Sequence, residues 1–588
     1  MTKKLLTGNE AVARGFWEAG GRVAVAYPGT PSTEITENAA KYEEIHAEWT
    51  PNEKVALEVG LGAAIGGARS LVSMKHVGLN VAADPLFTAA YTGINAGLVV
   101  VSADDPGMHS SQNEQDNRHY GRSAKLPVLE PSDSAEALAY TKIALQMSEN
   151  FDTPVILRLT TRVSHSQSLA ETGDREDVAL REYKNDMAKY VMIPANARRR
   201  HEVVEQHLED LAEYAETSRL NTVELKDTNI GIICSGAVYQ YVKEAMPDVS
   251  VLKLGMVYPL PRKVITNFAS RMKKLYVIEE LDPFIEDIIK SWGIEVSGSD
   301  IFSPLGEIFP DDITSKIMGS EVTSGAERTG IPGRPPVMCA GCPHRGAFYA
   351  MKKLGLVVSG DIGCYTLGCL PPLSSMHSCI CMGASIGVAH GLEKAQGRKF
   401  AKKTVAVLGE STFIHSGITG LINVVYNQSA VTTIILDNST TAMTGHQHNP
   451  ATGYNAKGAQ SPVLDLEAMV KACGVEKVTV VDPLDVEAFA KVLRESLDFD
   501  GPAVIISRRP CVLLDKKSVP IPFNVDNETC IGCFICLKTG CPALEKKDNK
   551  AFVNPNQCVG CGLCSQVCPI DAISSKTQAN LEEKGGAK

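Results

Sequence analysis

Two runs of four cysteines near one end of this 588-residue chain restrict its last roughly seventy residues more than any hydrophobic pattern does. The first is Cys530, Cys533, Cys536 and then Cys541-Pro542; the second is Cys558, Cys561, Cys564 and then Cys568-Pro569. Two-residue gaps let three thiolates surround one corner of a cuboidal iron–sulfur cluster, and where two such clusters share a domain the fourth cysteine of each run serves the other one. One [4Fe-4S] cluster is therefore expected on Cys530, Cys533, Cys536 and Cys568, and a second on Cys558, Cys561, Cys564 and Cys541. Four residues, where three are usual, separate Cys536 from Cys541. Crossed ligation makes that stretch a connector, so the extra residue can bulge without breaking the first site. Structural zinc on paired C-x-x-C motifs is the alternative; two regular runs, each ending in Cys-Pro, favour iron and sulfur.

The remaining cysteines are also clustered. Of 17, eight lie between 530 and 568 and six between 339 and 381. No apolar run is long enough to span a membrane, and "MTKKLLTGNEAVARG" lacks the apolar region of a signal peptide. A cytoplasmic location is expected, where thiols stay reduced and such clusters bind metal rather than form disulfides. Cys234 and Cys473 read as buried apolar cysteines. The net charge of −10 argues against a nucleic-acid surface. The one basic run, Arg198–Arg200, reads as the solvated start of a helix.

A chain of this length and ordinary composition (44% apolar, 21% charged) should divide into about three to five domains. Residues 1–165 alternate helical patterns with short β-branched runs at 22–29, 70–74, 97–103 and 154–159, which reads as a parallel α/β domain. Residues 166–227 are charge-rich, with Val204, Leu208, Leu211 and Ala215 on one helical face, and read as a connecting helical segment without chemistry. A second α/β unit, 228–325, has strands at 229–234, 250–255 and 274–280. The stretch 319–336 is a linker by composition. A third α/β domain, 330–515, has strands at 404–409, 432–437 and 503–509, and 516–588 would be a small domain held largely by its metal. The expected fold is α/β, with several doubly wound parallel sheets and a small C-terminal two-cluster, ferredoxin-like domain.

In "TVAVLGESTFIHSG" a strand ends in Gly409-Glu410-Ser411 and runs into a helix. The next strand, "TTIILDNST", ends in Asp437-Asn438 after 25 intervening residues. In a right-handed β-α-β unit the carboxyl ends of neighbouring strands open onto one crevice, so Glu410 and Asn438 should stand close together. A carboxylate and an amide oxygen suit Mg²⁺, which completes its octahedron with phosphate oxygens and water. Gly409 allows close backbone approach, and the following helix N-terminus favours phosphate. A plain strand–turn–helix with a solvated Glu410 is the alternative. The arrangement resembles the thiamine diphosphate motif, usually Gly-Asp-Gly followed about 25 residues later by Asn-Asn. By that resemblance Gly409 and Ser411 belong to the diphosphate turn, and Glu410, Asn438 and the Thr440 carbonyl hold Mg²⁺. Glu in place of Asp lengthens the ligand by one methylene.

"NEKVALEVGLGAAIGGARSLVSMKHVGLN" (52–80) is similar to the pyrimidine-binding segment of thiamine enzymes. That likeness makes Glu53 the carboxylate that activates the cofactor, with Glu58 as the fallback; a surface Glu at a helix start is the other reading. With "YPGTPSTE" (27–34), "MKHVGLN" (74–80), "SADDPGMHSSQNEQD" (102–116) and "CAGCPHRG" (339–346), the chain resembles the 2-oxoacid:ferredoxin oxidoreductases in domain order along essentially its whole length. The resemblance places Thr30 against the substrate, although Thr30 before Pro31 could equally cap a helix. It also implies a third cluster on Cys339, Cys342, Cys364 and Cys511; here Pro343 departs from the family's glycine.

The resemblance further implies oxidative decarboxylation of arylpyruvates (indolepyruvate, phenylpyruvate, 4-hydroxyphenylpyruvate) with coenzyme A, electrons leaving through the clusters to an external ferredoxin. A separate, smaller beta subunit is expected as partner, in a heterodimer or a dimer of heterodimers. A pyruvate or other 2-oxoacid enzyme is the alternative within the class. A non-oxidative thiamine decarboxylase has no use for the tail, and a pure electron-transfer subunit has no use for the thiamine sites.

Overall fold

The computed structural model describes residues 2–319, 332, 335–514 and 521–575, so the linker at 319–336 lies mostly outside the described residues. The chain divides into two compact units, Met1–Gly330 with Ala456–Ala459, and Ile331–Asn455 with Gln460–Lys588.

In the first unit, strands Val23–Ala26, His46–Trp49, Ser70–Lys75, Leu98–Asp104, Val128–Leu129 and Val155–Thr160 form a parallel sheet. Met256–Tyr258 joins it as an antiparallel edge beside Val128–Leu129. Alternate residues of the central strands enter two different cores. Val99, Val101 and Leu157 face one, and Val25, Val72, Val100 and Ile156 face the other. Burial on both faces explains why these strands read as continuous apolar runs. A second sheet runs parallel through Lys274–Ile278, Asp227–Ser235 and Val249–Leu254, with Thr222–Glu224 antiparallel at its edge.

Residues 166–227 are more than a helical connector. Gln167–Thr172 pairs antiparallel with Thr2–Thr7, and helix Pro194–Thr217 buries Val204, Leu211 and Ala215. The basic run falls in the second turn of that helix, with Arg198 and Arg199 exposed as expected; Arg200 is partly buried, donates to the Tyr91 carbonyl at 2.6 Å and pairs with Asp152 at 3.2 Å. Cys234 is fully buried, whereas Cys473 is only half-buried against its core.

In the second unit, five parallel strands lie in the order Val357–Ser359, Thr404–Gly409, Thr432–Asp437, Ala503–Arg508, Lys477–Val481. Val405, Val407, Ile434 and Ile505 face one core; Ala406, Leu408, Ile435 and Ile506 face the other. The cysteine-rich end has two small antiparallel ladders, Phe523–Val525 with Ile573–Ser575 and Leu544–Lys547 with Lys550–Val553. Asp548 and Asn549, both at positive φ, turn the second hairpin, as a two-residue turn of that hand requires.

Candidate active site

The carboxyl ends of Thr404–Gly409 and Thr432–Asp437 carry the candidate diphosphate site. Glu410 is buried. Its Oε1 accepts from the Thr440 N–H at 3.1 Å and from Asn449 Nδ2 at 3.2 Å, and its Oε2 accepts from the Asn438 N–H at 3.5 Å. The Thr440 N–H is shared with Asn438 Oδ1 at 3.3 Å, so the two side-chain oxygens lie side by side. Burial, and next the Asp437 charge, push Glu410 up to about 8. Asp437 itself is paired with Arg508 at 2.8 Å. A buried carboxylate beside an amide oxygen, without a cationic side chain of its own among the described residues, is a place that Mg²⁺ fits. The structure thus brings Glu410, Asn438 and Thr440 together, and Glu410 is not the solvated side chain of the alternative reading.

The segment after Gly409 differs from a regular helix. A three-residue turn, Glu410–Thr412, passes into a π-helical turn, Phe413–Gly417, before helix Ile418–Tyr426 begins. Such π turns interrupt helices at functional sites. The turn, the π segment and the helix follow one another without a break, so the N-terminus of this helical stretch still lies at Glu410. Ser411 accepts from the Thr441 hydroxyl at 3.1 Å, and a Cβ on Gly409 would come within 3.0 Å of the Tyr365 ring. Buried Asp361 accepts from the Gly383 and Ser385 N–H groups, each at 3.0 Å, which fixes the turn into helix Ala384–Gln396. Buried His344, which burial pushes down to about 4 and so keeps neutral, lies 3.5 Å from Asn438 Nδ2.

The candidate third-cluster residues converge beside this site. The Cys342 N–H donates to the Cys339 carbonyl at 3.2 Å, and the Cys511 N–H donates to the Asn438 carbonyl at 2.8 Å. Burial pushes Cys364 up to about 11, followed by the nearby Cys511 and Cys339. Cys342 is pushed to about 12, mainly by burial, with Cys339 and Cys364 also acting on it. Pro343 takes the N-cap position of helix His344–Lys353. Its ring suits a helix start, where no backbone N–H is needed, so the departure from glycine costs little there.

In the cysteine-rich end, Cys541, Cys558, Cys561 and Cys564 line one cavity together with Arg345, Val559 and Leu563. Burial pushes Cys564 up to about 12, with Cys561, Cys558 and Cys541 next among the causes that raise it. Cys536 is likewise raised by burial, and the thiols acting on it are Cys568 and Cys533. Cys530 and Cys536 are buried in the core of this end, while Cys533 is exposed. Cys541 thus lines one cavity with the three of the second run, and Cys568 acts on Cys536 of the first. The connector is a 3-10 turn, Cys536–Thr539, closed by Gly540 at φ +70°. A glycine is needed there, since L side chains rarely adopt that conformation.

In the first unit Glu53 is the first residue of helix Glu53–Ile65, capped by Asn52, and its side chain is buried. It faces Gly78 of "MKHVGLN", where a Cβ would come within 2.6 Å of Glu53 Oε1. The fallback Glu58 is exposed and paired with Lys54 on the same helix. Thr30 does not cap the following helix, whose N-cap is Ser32. The Thr30 carbonyl instead accepts from the Ser110 hydroxyl at 3.3 Å, and Ser110 in turn accepts Lys75 Nζ at 2.5 Å on its carbonyl. Burial pushes Lys75 down to about 8. A buried network joins this region to the second sheet: Arg158 pairs with Asp104 and Glu130, each at 2.7 Å, and Arg118 pairs with Asp116 and with Glu279 at 2.6 Å.

Asn449, Asp361, His344, Arg345 and Lys75 escaped the sequence reading. His344, Arg345 and Lys75 lay inside stretches already quoted, but a single polar residue in a motif does not show what it faces. Only chain crossing brings Asn449, 39 residues away in sequence, to Glu410.

Three family models match the chain. "Pyruvate flavodoxin/ferredoxin oxidoreductase, thiamine diP-bdg" covers residues 14–225, which include Thr30 and Glu53. "Thiamine pyrophosphate enzyme, C-terminal TPP binding domain" covers 361–507, which include Glu410 and Asn438. "4Fe-4S binding domain" covers 551–574, which include Cys558, Cys561, Cys564 and Cys568. The chain is 41% identical over 615 residues to the indolepyruvate oxidoreductase subunit IorA of Archaeoglobus fulgidus, spanning 97% of each chain. It is 41% identical over 601 residues to the protein of the same name from Methanothermobacter marburgensis, spanning 97% of this chain and 96% of that one. Among solved structures, the 2-oxoglutarate:ferredoxin oxidoreductase of Magnetococcus marinus covers 54% of this chain and 65% of its own, with 19% identity and a TM-score of 0.47. No helix among the described residues is long and apolar enough to cross a membrane.

Proposed function

The chain belongs to the family of the indolepyruvate oxidoreductase IorA subunits, and we propose that it oxidises arylpyruvates, with coenzyme A as acyl acceptor. It is an oxidoreductase chain with thiamine diphosphate-binding domains and a ferredoxin-like 4Fe-4S domain. The proposed reaction converts a 2-oxoacid anion and the coenzyme A thiol into an acyl thioester, carbon dioxide, one proton and two electrons. Clusters accept electrons singly, so the two leave one after the other to an external ferredoxin. A smaller partner subunit and a cytoplasmic location complete the proposal.

Bound thiamine diphosphate supplies the electron sink for the carbon–carbon bond that breaks. Glu53, buried at its helix start, would hold a proton at the pyrimidine ring, and Thr30 would face the substrate. Glu410, Asn438 and the Thr440 carbonyl would hold Mg²⁺, with Gly409 and Ser411 in the diphosphate turn. Two clusters are assigned to the tail, and a third to Cys339, Cys342, Cys364 and Cys511.

The observation that carries this reading is that one compact unit holds both the buried Glu410 site and the crossed tail cysteines. A non-oxidative decarboxylase would not need the second, nor an electron carrier the first. An aryl side chain also offers far more apolar surface than pyruvate's methyl, at about 25 cal/mol per Å² removed from water. The test is anaerobic copurification with the partner, followed by iron and thiamine diphosphate content and kcat/KM from viologen reduction. Preference for indolepyruvate is expected; equal efficiency with pyruvate would overturn the aryl assignment, and absence of 2-oxoacid-dependent reduction would overturn the whole.

A further inference from the structure

Arg345 has no place in the chemistry above, yet it is among the most buried cations of the second unit, at 2% exposure. It sits in the first turn of helix His344–Lys353. Its guanidinium spans two segments: Nε donates to the Cys339 carbonyl at 2.9 Å, Nη1 to the Thr539 carbonyl at 3.2 Å, and Nη2 to the Met338 carbonyl. All three acceptors are neutral, and among the described residues no carboxylate pairs with it. The groups that act on its charge are thiols, those of Cys541, Cys342, Cys339 and Cys561. It lines the cavity shared by Cys541, Cys558, Cys561 and Cys564, and a Cβ on Gly540, next to Cys541, would come within 3.1 Å of its Nη1.

A permanently charged guanidinium is costly to bury without an anion. Four thiols that become thiolates around an iron–sulfur core supply one, because an oxidised four-thiolate cluster is a dianion and reduction adds a further negative charge. The fixed positive charge is thus worth more to the reduced form than to the oxidised one. Net charge around a cluster is one of the quantities that set its potential.

We propose that Arg345 raises the reduction potential of the cluster held by Cys541, Cys558, Cys561 and Cys564, so that electrons arriving from the cofactor side settle there. This rests on the assignment of that cluster made above. Each electron that enters comes from the two released by the 2-oxoacid, and each leaves to ferredoxin; Arg345 keeps its charge and its protons throughout. It is a positioning residue for charge, not a group that touches substrate.

The test is a redox titration of the full chain with its partner, followed by paramagnetic resonance, in the wild type, Arg345→Gln and Arg345→Lys. The signal of this cluster is identified by its loss in Cys541→Ser, and the Cys530 cluster serves as the internal reference. In Arg345→Gln the reduced-to-oxidised ratio at fixed potential should fall about tenfold, about 59 mV for one electron, with the reference cluster unmoved. Arg345→Lys, which keeps the charge but not the fork, should stay near the wild type. An unmoved potential in Arg345→Gln, an equal fall in both variants, or loss of the cluster from both would overturn the proposal in favour of a purely structural tie. A wild-type protein whose iron content and spectrum show no such cluster would overturn the cluster assignment instead, and is read before any variant.

Discussion

Replacing Gly78 by Ala tests whether the position of Glu53 matters to catalysis, without touching Glu53 itself. Gly78 lies within the short helix His76–Val81, where alanine is the better helix former by about 1 kcal/mol, so the backbone should tolerate or welcome the change. The added Cβ would stand 2.6 Å from Glu53 Oε1, 2.7 Å from Cγ and 2.9 Å from Cδ, whereas ordinary contact begins at 3.4 Å. The carboxylate must therefore retreat by about 0.8 Å, the difference between 3.4 and 2.6 Å. The clash takes in Cγ and Cδ as well as Oε1, so the whole buried side chain must shift, and the thermal midpoint reports what that costs. A misplacement of about 1 Å can cost on the order of 100-fold in rate, about 2.7 kcal/mol of barrier. The assay is kcat for substrate-dependent viologen reduction with the partner present, beside thiamine diphosphate affinity and the thermal midpoint. A fall of about 100-fold in kcat with affinity preserved is expected, and Glu53→Gln should fall further. Wild-type turnover in Gly78→Ala would show that the carboxylate need not stand where the structure has it. Near-normal turnover in Glu53→Gln would remove its assigned role altogether.

Cys541→Ser should disturb the cluster of Cys558, Cys561 and Cys564 and leave that of Cys530, its nearer neighbour in sequence; paramagnetic resonance showing the reverse would end the crossed assignment. Glu280, buried and accepting from the Ile308 N–H at 3.1 Å, is pushed by burial from 4.5 up to about 7. A raised carboxylate favours the folded state fully below its unfolded pKa, and that stability is lost as pH rises through the folded value. Glu280→Gln keeps the acceptor and removes the titration, so it should gain about 3 kcal/mol over the wild type at pH 8 and nothing near pH 4. The three tryptophans, Trp17, Trp49 and Trp292, all lie in the first unit, so their fluorescence in a urea titration reports this directly. A variant whose advantage does not grow with pH would refute the shift.

The central strands were legible because both sheet faces are buried. Thr404–Gly409, Thr432–Asp437 and Val155–Thr160 are buried along their whole length. His46–Trp49 and Met256–Tyr258 were not read as strands, since short edge strands carry little apolar pattern of their own. The pairing of Thr2–Thr7 with Gln167–Thr172 was also invisible: it joins segments more than 150 residues apart in sequence, and neither run announces its partner.

The sequence by itself determined the chemistry that depends on local spacing. Cysteine gaps, and two strands joined by one crossover, already pointed to the tail thiols as metal ligands and to Glu410 beside Asn438. Tertiary structure alone decided what surrounds those groups. It buried Glu410 beneath Asn449, set Gly78 against Glu53 while leaving Glu58 in solvent, and placed Arg345 among thiols from two distant segments. The reason is physical: a ligand's spacing is a property of the backbone within a few residues, whereas burial and electrostatic environment are set by whatever other part of the chain comes to pack there.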